Sequence, residues 1–380
     1  MIRVLVVEDS LVQRTLLVGL LKADPEISVV GAVTSGAEAL AFLARDKPDV
    51  VTMDLRMPDM NGLEVTRQIM ETTPLPVVIV SEYWDAESAD LTFRAMEAGA
   101  VAGVSKPSVG RPESEEVARQ LIQTVKLMSE VKVIRRWPRS RRADNLSLVS
   151  PPSSSSRISP TSALVVTPPP PPPQPKDISL VAIGASTGGP PVLRTILAAL
   201  PRTFPVPILI VQHIARGFTS SLVQWLKTEA SPLVQVAKQG EEMLPGHIYI
   251  APDDFQMGVA LNKRIALALD PVEHSLRPSV SYLFRSLVSV YGGNVIAVLL
   301  TGMGRDGAQE LRLLRDQGAI TIAQNKETSV VHGMPGVAIA LDAATHIMAP
   351  EEIAPLLVSL TQPSSSRGGP ATGGPATGGF

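Results

Sequence analysis

Short runs of β-branched and aliphatic residues alternate with helix-patterned stretches along most of the chain, and this alternation restricts the fold more than any other feature. In the first part the runs are Ile2–Val7, Val29–Val33, Val50–Met53 and Val77–Val80, with stretches such as Leu11–Lys22 and Glu38–Arg45 between them. Strand and helix signals in alternation build a parallel sheet with helices on both faces. Glu113–Val133 closes this unit as a helix, with Val117, Leu121, Val125 and Met128 at helical spacing. The pattern resumes at Ile178. There Leu180–Ile183, Val206–Val211, His247–Ala251 and Val295–Leu300 read as strands, and Val192–Leu200 and Ser279–Val290 as helices. The expected architecture is α/β in two domains, over residues 1–135 and 178–360, the second also with a mainly parallel sheet.

Residues 136–177 interrupt the pattern. Arg135, Arg136, Arg139, Arg141 and Arg142 cluster at their start and read as a solvated helix end. A serine-rich stretch and the run Pro168–Pro173 follow, a composition that makes an extended spacer and builds no core. Residues 361–380 repeat GGPAT and read as a disordered tail. The whole length of 380 residues suits two domains and a linker. A formal net charge of -2 gives no general pull toward nucleic acid or a membrane surface. The absence of cysteine excludes disulfides, thiolate metal sites and a cysteine nucleophile. MIRVLVVEDS lacks the layout of a secretory leader, and no apolar stretch approaches the roughly 20 residues that span a bilayer. The expectation is a cytoplasmic protein without membrane insertion.

Chemistry-bearing residues fall where strands end. In the first domain Glu8 and Asp9 follow Val7, and Asp54 follows Met53. In open parallel sheets, sites form outside the carboxyl ends of the strands. Three carboxylates crowded there repel one another, and a hard divalent cation such as Mg²⁺ relieves that repulsion. Ser81 follows the fourth strand and Lys106 precedes Pro107 after the fifth, so a hydroxyl and an ammonium reach the same edge. Taken singly, such residues are ordinary caps and loop positions. Together VVEDS, MDLRMPDMNGLEV, VVIVS and SKP resemble the receiver domain of response regulators. The resemblance implies a flavodoxin-like parallel sheet and phosphorylation of Asp54. It implies Mg²⁺ at Asp9, Asp54 and, through water, Glu8, with Ser81 and Lys106 sensing the phosphoryl group. Gly103 departs from the pattern, because receivers usually carry an aromatic switch residue three positions before the lysine. Tyr83 and Trp84 in the loop after Ser81 are the expected substitutes for its moving bulk.

In the second domain Gly184-Ala185-Ser186-Thr187-Gly188-Gly189 follows a strand, and Pro190 and Pro191 open a helix. The spacing fits G-x-S-x-G, a tight turn that exposes a serine hydroxyl. A phosphate-binding turn or a simple N-cap serine fits the same residues, although the lysine of a P-loop is missing. A nucleophilic serine needs a base and the base an orienting acid. His213 follows the strand ending in IVQH, whereas His247 starts a strand at the opposite edge. Asp306 lies in TGMGRDG, after another strand, where capping the helix from Ala308 is its plainer role.

IGASTGGP, QHIARGFTSSL, GHIYIAPDD, RPSV, LLTGMGRDGA and IAQNKETSVVHGMP together resemble the catalytic domain of the chemotaxis protein-glutamate methylesterase (CheB) family, from about Ile178 to Ala349. Receiver, linker and catalytic domain in that order complete the family architecture. The resemblance implies Ser186 as nucleophile, His213 as general base and Asp306 as its orienting acid, with the Met303 amide in the oxyanion hole and Thr187 lining the site. Ser281, after RPSV, stands where the family often has an acidic residue. The implied substrates are glutamate γ-methyl esters, and glutamines, of methyl-accepting chemoreceptors. The implied phosphodonor is a chemotaxis histidine kinase. No cofactor is implied in the catalytic domain. The competing classes are a non-catalytic signalling adaptor and a nucleic-acid-binding regulator. An intact set of Ser186, His213 and Asp306 argues against the first, and the lack of a basic recognition helix against the second.

Overall fold

A computed structural model describes residues 1–81, 86–107, 114–131, 133, 177–273 and 276–362. The expected linker, except Asp177, and the tail beyond Gln362 lie outside these residues.

The first unit runs β1 (Ile2–Val7), α1 (Leu11–Lys22), β2 (Ile27–Val33), α2 (Gly36–Leu43), β3 (Val50–Met53), α3 (Gly62–Thr72), β4 (Val77–Ser81), α4 (Ala86–Ala98), β5 (Ala102–Ser105) and α5 (Ser114–Ser129). Its five strands are parallel in the order β2-β1-β3-β4-β5, the doubly wound arrangement expected. Continuous apolar runs suit strands that are covered on both faces. Leu5, Val7, Val51, Met53, Val77 and Ile79 face one core, and the alternating Val4, Val6, Val50, Val78 and Val80 face the other. Ser10, Ser35 and Asn61 cap α1, α2 and α3 by accepting the Gln13, Glu38 and Glu64 amides.

The second unit runs β6 (Leu180–Ala185), α6 (Gly189–Ala198), β7 (Ile208–Gln212), α7 (Thr219–Lys227), β8 (Leu233–Val236), β9 (His247–Ile250), β10 (Gln256–Val259), β11 (Ile265–Ala268), α8 (Val280–Tyr291), β12 (Val295–Leu299), α9 (Ala308–Asp316), β13 (Ile320–Gln324), α10 (Met334–Ala340), β14 (His346–Met348) and α11 (Pro350–Thr361). Seven parallel strands lie in the order β14-β13-β12-β6-β7-β9-β8, and β10 and β11 form a separate antiparallel pair. Strand β7 begins after Pro207 rather than at Val206, because proline has no N–H to give to a ladder. From β6 the chain winds to β7, β8 and β9 on one side, then returns to β12 on the other. The winding direction therefore reverses between β6 and β12, and the crevice beyond their carboxyl ends is where such sheets bind ligands.

The two units share a contact through α4, α6 and α7. Phe93 of α4 is fully buried and stacks on Trp225 of α7, ring centroids 5.0 Å apart. The Arg194 guanidinium lies 5.0 Å from the same indole and pairs with Glu97 of α4 and with Glu229. Met303 and Val330 of the second unit pack against the apolar core formed by β1, β4, β5 and α5.

Candidate functional sites

The serine turn grows directly out of β6. Ser186 N–H donates to the Thr301 carbonyl (3.0 Å), which ties the turn to the end of β12. Gly189 N–H donates back to the Ser186 carbonyl (2.8 Å), and Gly188 between them has φ 76° and ψ 1°. These are the features of a type II turn, which demands a left-handed residue at its third position. Gly302 lets the two loops close up, since a Cβ there would lie 2.6 Å from Ser186 Cβ. The half-buried Ser186 is thereby held at the start of α6, where helix amides favour negative charge.

His213 follows β7, and its N–H donates to the Ala185 carbonyl (2.9 Å), so it stands beside the serine turn. Its Nε2 lies 2.9 Å from Asp306 Oδ2. Asp306 is 1 % exposed yet fully satisfied. Oδ1 accepts from Ser279 Oγ (2.8 Å) and Ser281 N–H (3.0 Å), and Oδ2 from Val280 N–H (2.6 Å). Burial alone would raise its pKa, but His213 and Ser281 outweigh burial and hold the carboxyl well below the usual range. The Asp306 carboxylate therefore caps the amino end of α8, although its backbone directly precedes Gly307, the N-cap of α9. Among the described residues, no hydrogen bond joins the Ser186 hydroxyl to His213, and the Met303 N–H meets no protein acceptor. Thr187 is half-buried, with its carbonyl accepting from Thr301 Oγ1 (2.9 Å). Ser281 Oγ donates to Glu310 Oε2 (2.7 Å) and accepts from Gly307 N–H (2.9 Å), so it braces the Asp306 loop.

The first unit gathers its own set at the carboxyl ends of β1 and β3. Oxygen atoms of Glu8, Asp9 and Asp54 all lie within 4.8 Å of one another. Lys106 Nζ sits 2.8 Å from Glu8 Oε2 and 3.0 Å from Asp54 Oδ2. Burial pushes the Glu8 carboxyl up to about 7, against the pull of Lys106 and with the Asp54 charge adding to the rise. Burial likewise raises Asp54, with Lys106 opposing. An all-oxygen, acidic donor set with one exposed member suits a hard divalent cation that keeps some of its water. Ser81 is buried at the end of β4. Tyr83 and Trp84 lie outside the described residues. At Gly103 a Cβ would stand 3.0 Å from Thr92 Cγ2, 3.2 Å from Met96 Cε and 3.7 Å from Phe218 Cε1. The space beside β5 is thus bounded by α4 and by a phenylalanine from the second unit.

Family models match both units: the response regulator receiver domain over residues 4–115 and the CheB methylesterase over 181–357. A protein-glutamate methylesterase/protein-glutamine glutaminase of Nitrosospira multiformis is 50% identical over 361 residues, covering 95% of this chain and 97% of that one. The chain belongs to the CheB methylesterase family. A second relative of the same description, from Syntrophus aciditrophicus, is 51% identical over 360 residues, covering 95% and 98% of the two chains. The crystal structure of the Thermotoga maritima CheB methylesterase catalytic domain aligns at 39% identity and a TM-score of 0.47, over 48% of this chain and 98% of that one. The residues that sequence reasoning passed over are the supports of the CheB site: Gln212, Ser279, Thr301 and Gln324. All four are buried polar residues, and they lie inside the motifs QHIARGFTSSL, RPSV, LLTGMGRDGA and IAQNKETSVVHGMP.

Proposed function

We propose that this chain is a phosphorylation-regulated protein-glutamate methylesterase and protein-glutamine glutaminase, in which Ser186 attacks, His213 moves the proton and Asp306 orients the imidazole. The observation that carries this assignment is the buried Asp306 carboxylate, held ionised at the amino end of α8 and bonded to His213 beside the serine turn. With Nε2 engaged by Asp306, the other ring nitrogen of His213 is left to receive the serine proton. Ser186 Oγ adds to the γ-carbonyl carbon of a receptor glutamate methyl ester, and the resulting oxyanion accepts the unengaged Met303 N–H. His213 returns the proton to the departing methoxide, which leaves as methanol. Water then adds to the acyl-enzyme with His213 again as base, giving the free glutamate and the restored serine. On a glutamine side chain the leaving group is ammonia. Thr187 lines the pocket, and no metal takes part in this chemistry.

In the receiver, Asp54 is the phosphoryl acceptor. Glu8, Asp9 and Asp54 would hold Mg²⁺, which supplies charge neutralisation for the incoming phosphoryl group. Lys106, now paired with two carboxylates, and Ser81 contact that group once it is attached. The donor is a chemotaxis histidine kinase and the substrates are cytoplasmic segments of methyl-accepting chemoreceptors. The cytoplasm is the compartment this reaction requires. Among the described residues no helix is long and apolar enough to cross a membrane.

The test is methanol release from methylated receptor membranes, with and without a small phosphodonor. The parent protein is expected to release methanol faster after phosphorylation, Asp54→Ala to lose the response and Ser186→Ala to lose release altogether. Near-parental turnover by a folded Ser186→Ala protein would discard the serine mechanism.

A further inference from the structure

Gln212, the last residue of β7, carries a side chain that is 4 % exposed and joins the two halves of the serine site. Its Nε2 donates to the Ser186 carbonyl (2.9 Å) and to the His213 carbonyl (2.7 Å). The first of these is the same carbonyl that closes the type II turn by accepting Gly189 N–H (2.8 Å). One amide therefore fixes the turn that presents the nucleophile and the segment that presents the base. Amide orientation is normally a matter of assignment, but here it is dictated. The reversed amide would set its oxygen against two carbonyl oxygens.

The other end of the side chain is bought at a cost. Gln212 Oε1 is buried and accepts no hydrogen bond among the described residues. It is packed so closely on α6 that a Cβ at Gly189 would stand 2.1 Å from it. A buried acceptor without a donor destabilises a fold, and an apolar side chain of equal length would avoid that penalty. A glutamine whose two N–H bonds serve the site and whose oxygen weakens the fold has the signature of a functional constraint.

We infer that Gln212 is a positioning residue: its amide clamps the Ser186 turn to the His213 segment and sets the approach of hydroxyl to imidazole. This inference rests on the serine mechanism proposed above. Small errors in such an approach are expensive, since a displacement of about 1 Å can cost on the order of 100-fold in rate.

Gln212→Met keeps the length and burial and removes both N–H donors. Gln212→Glu keeps the shape and places a carboxylate oxygen against the two carbonyls. In the full-length, phosphodonor-treated protein, each variant is expected to lower kcat on an activated ester by about 10- to 100-fold with KM changed little. The labelling of Ser186 by a serine-directed phosphonate should slow by a similar factor. Gln212→Met gives up two donated hydrogen bonds as well as one unpartnered acceptor, so its melting temperature should stay close to the parental value. Parental kcat and labelling rate in a folded Gln212→Met protein would overturn the clamp. A lowered melting temperature with parental turnover per folded molecule would also overturn it, leaving a structural role. Failure of the parent protein to label at Ser186 would instead remove the serine mechanism on which the inference stands, so the two failures are told apart.

Discussion

At the scale of single residues, the proposed chemistry turns most on Asp306. Its type and rough place were legible in the sequence, since TGMGRDG follows an apolar run and glycine-flanked aspartates gather at strand ends. Which helix it serves was not, because α8 lies 26 residues back in the chain from Val280 to Asp306 and only the fold brings its amides there. The consequence is a pH signature. A depressed folded-state pKa adds stability that is present above the unfolded value near 4 and lost as pH falls toward the folded one. Asp306→Asn keeps the shape and loses the charge. It is expected to be less stable than the parent at neutral pH by about 1.5–3 kcal/mol, the range for hydrogen bonds to a charged group. That gap should narrow steadily below pH 4 in denaturant melts. A gap that stays constant from pH 7 to pH 3 would show that the carboxylate charge contributes nothing to the fold.

At the scale of elements, the central strands were readable because parallel strands buried on both faces are continuous apolar runs, and α1 matches its expected range of Leu11–Lys22. Strand β14 has three residues, and β10 and β11 have four each with Gly258 interrupting the first, so neither length nor alternation signals them. The serine turn is the element with most at stake. The glycines of GASTGG announce a sharp turn, but not what closes around it. A Cβ at Gly188 would take up a left-handed conformation that costs about 1 kcal/mol, and would lie 2.5 Å from Val330 Cβ. Gly188→Ala is therefore expected to lower esterase activity by at least about 10-fold, because the strain is relieved by moving the turn that carries Ser186. Assay of activity per folded molecule, with circular dichroism as the control for folding, checks this. Parental activity in that variant would mean the turn tolerates a shift without consequence.

At the scale of the whole molecule, composition sets a proline-rich stretch between two α/β patterns, but nothing in it disclosed how the two units meet. That contact depends on side chains whose sequence neighbours give no hint of a partner. Phe93 lies on an ordinary amphipathic helix, and Trp225 on another, yet they stack, with Arg194 joining the indole and Glu97. The same surface brings Phe218, five residues after His213, against the glycine-lined side of β5. Asp253 holds that segment by accepting from Gly217 N–H (2.9 Å) and Thr219 Oγ1 (2.6 Å). Val330 both packs against the receiver core and covers the Gly188 turn. A receiver seated here lies at the rim of the serine site, so the regulation proposed above requires phosphorylation to favour a state in which this contact is weaker. Phe93→Ala removes the central stack from the receiver side and leaves every residue of the catalytic domain in place. A stacked aromatic pair contributes about 0.5–1.5 kcal/mol beyond its burial, which alone corresponds to a roughly 2- to 10-fold shift in the ratio of released to docked molecules, and the lost burial of Phe93 adds to it. Without phosphodonor, Phe93→Ala is therefore expected to hydrolyse receptor methyl esters at least about 2-fold faster than the parent, and to gain correspondingly less from phosphorylation. Gly103→Val attacks the same contact from β5, since its side chain crowds Thr92 and Met96 of α4 and Phe218, and is expected to act in the same direction. If both variants keep the parental basal rate and the parental activation ratio, the α4 contact is not the restraint that phosphorylation relieves.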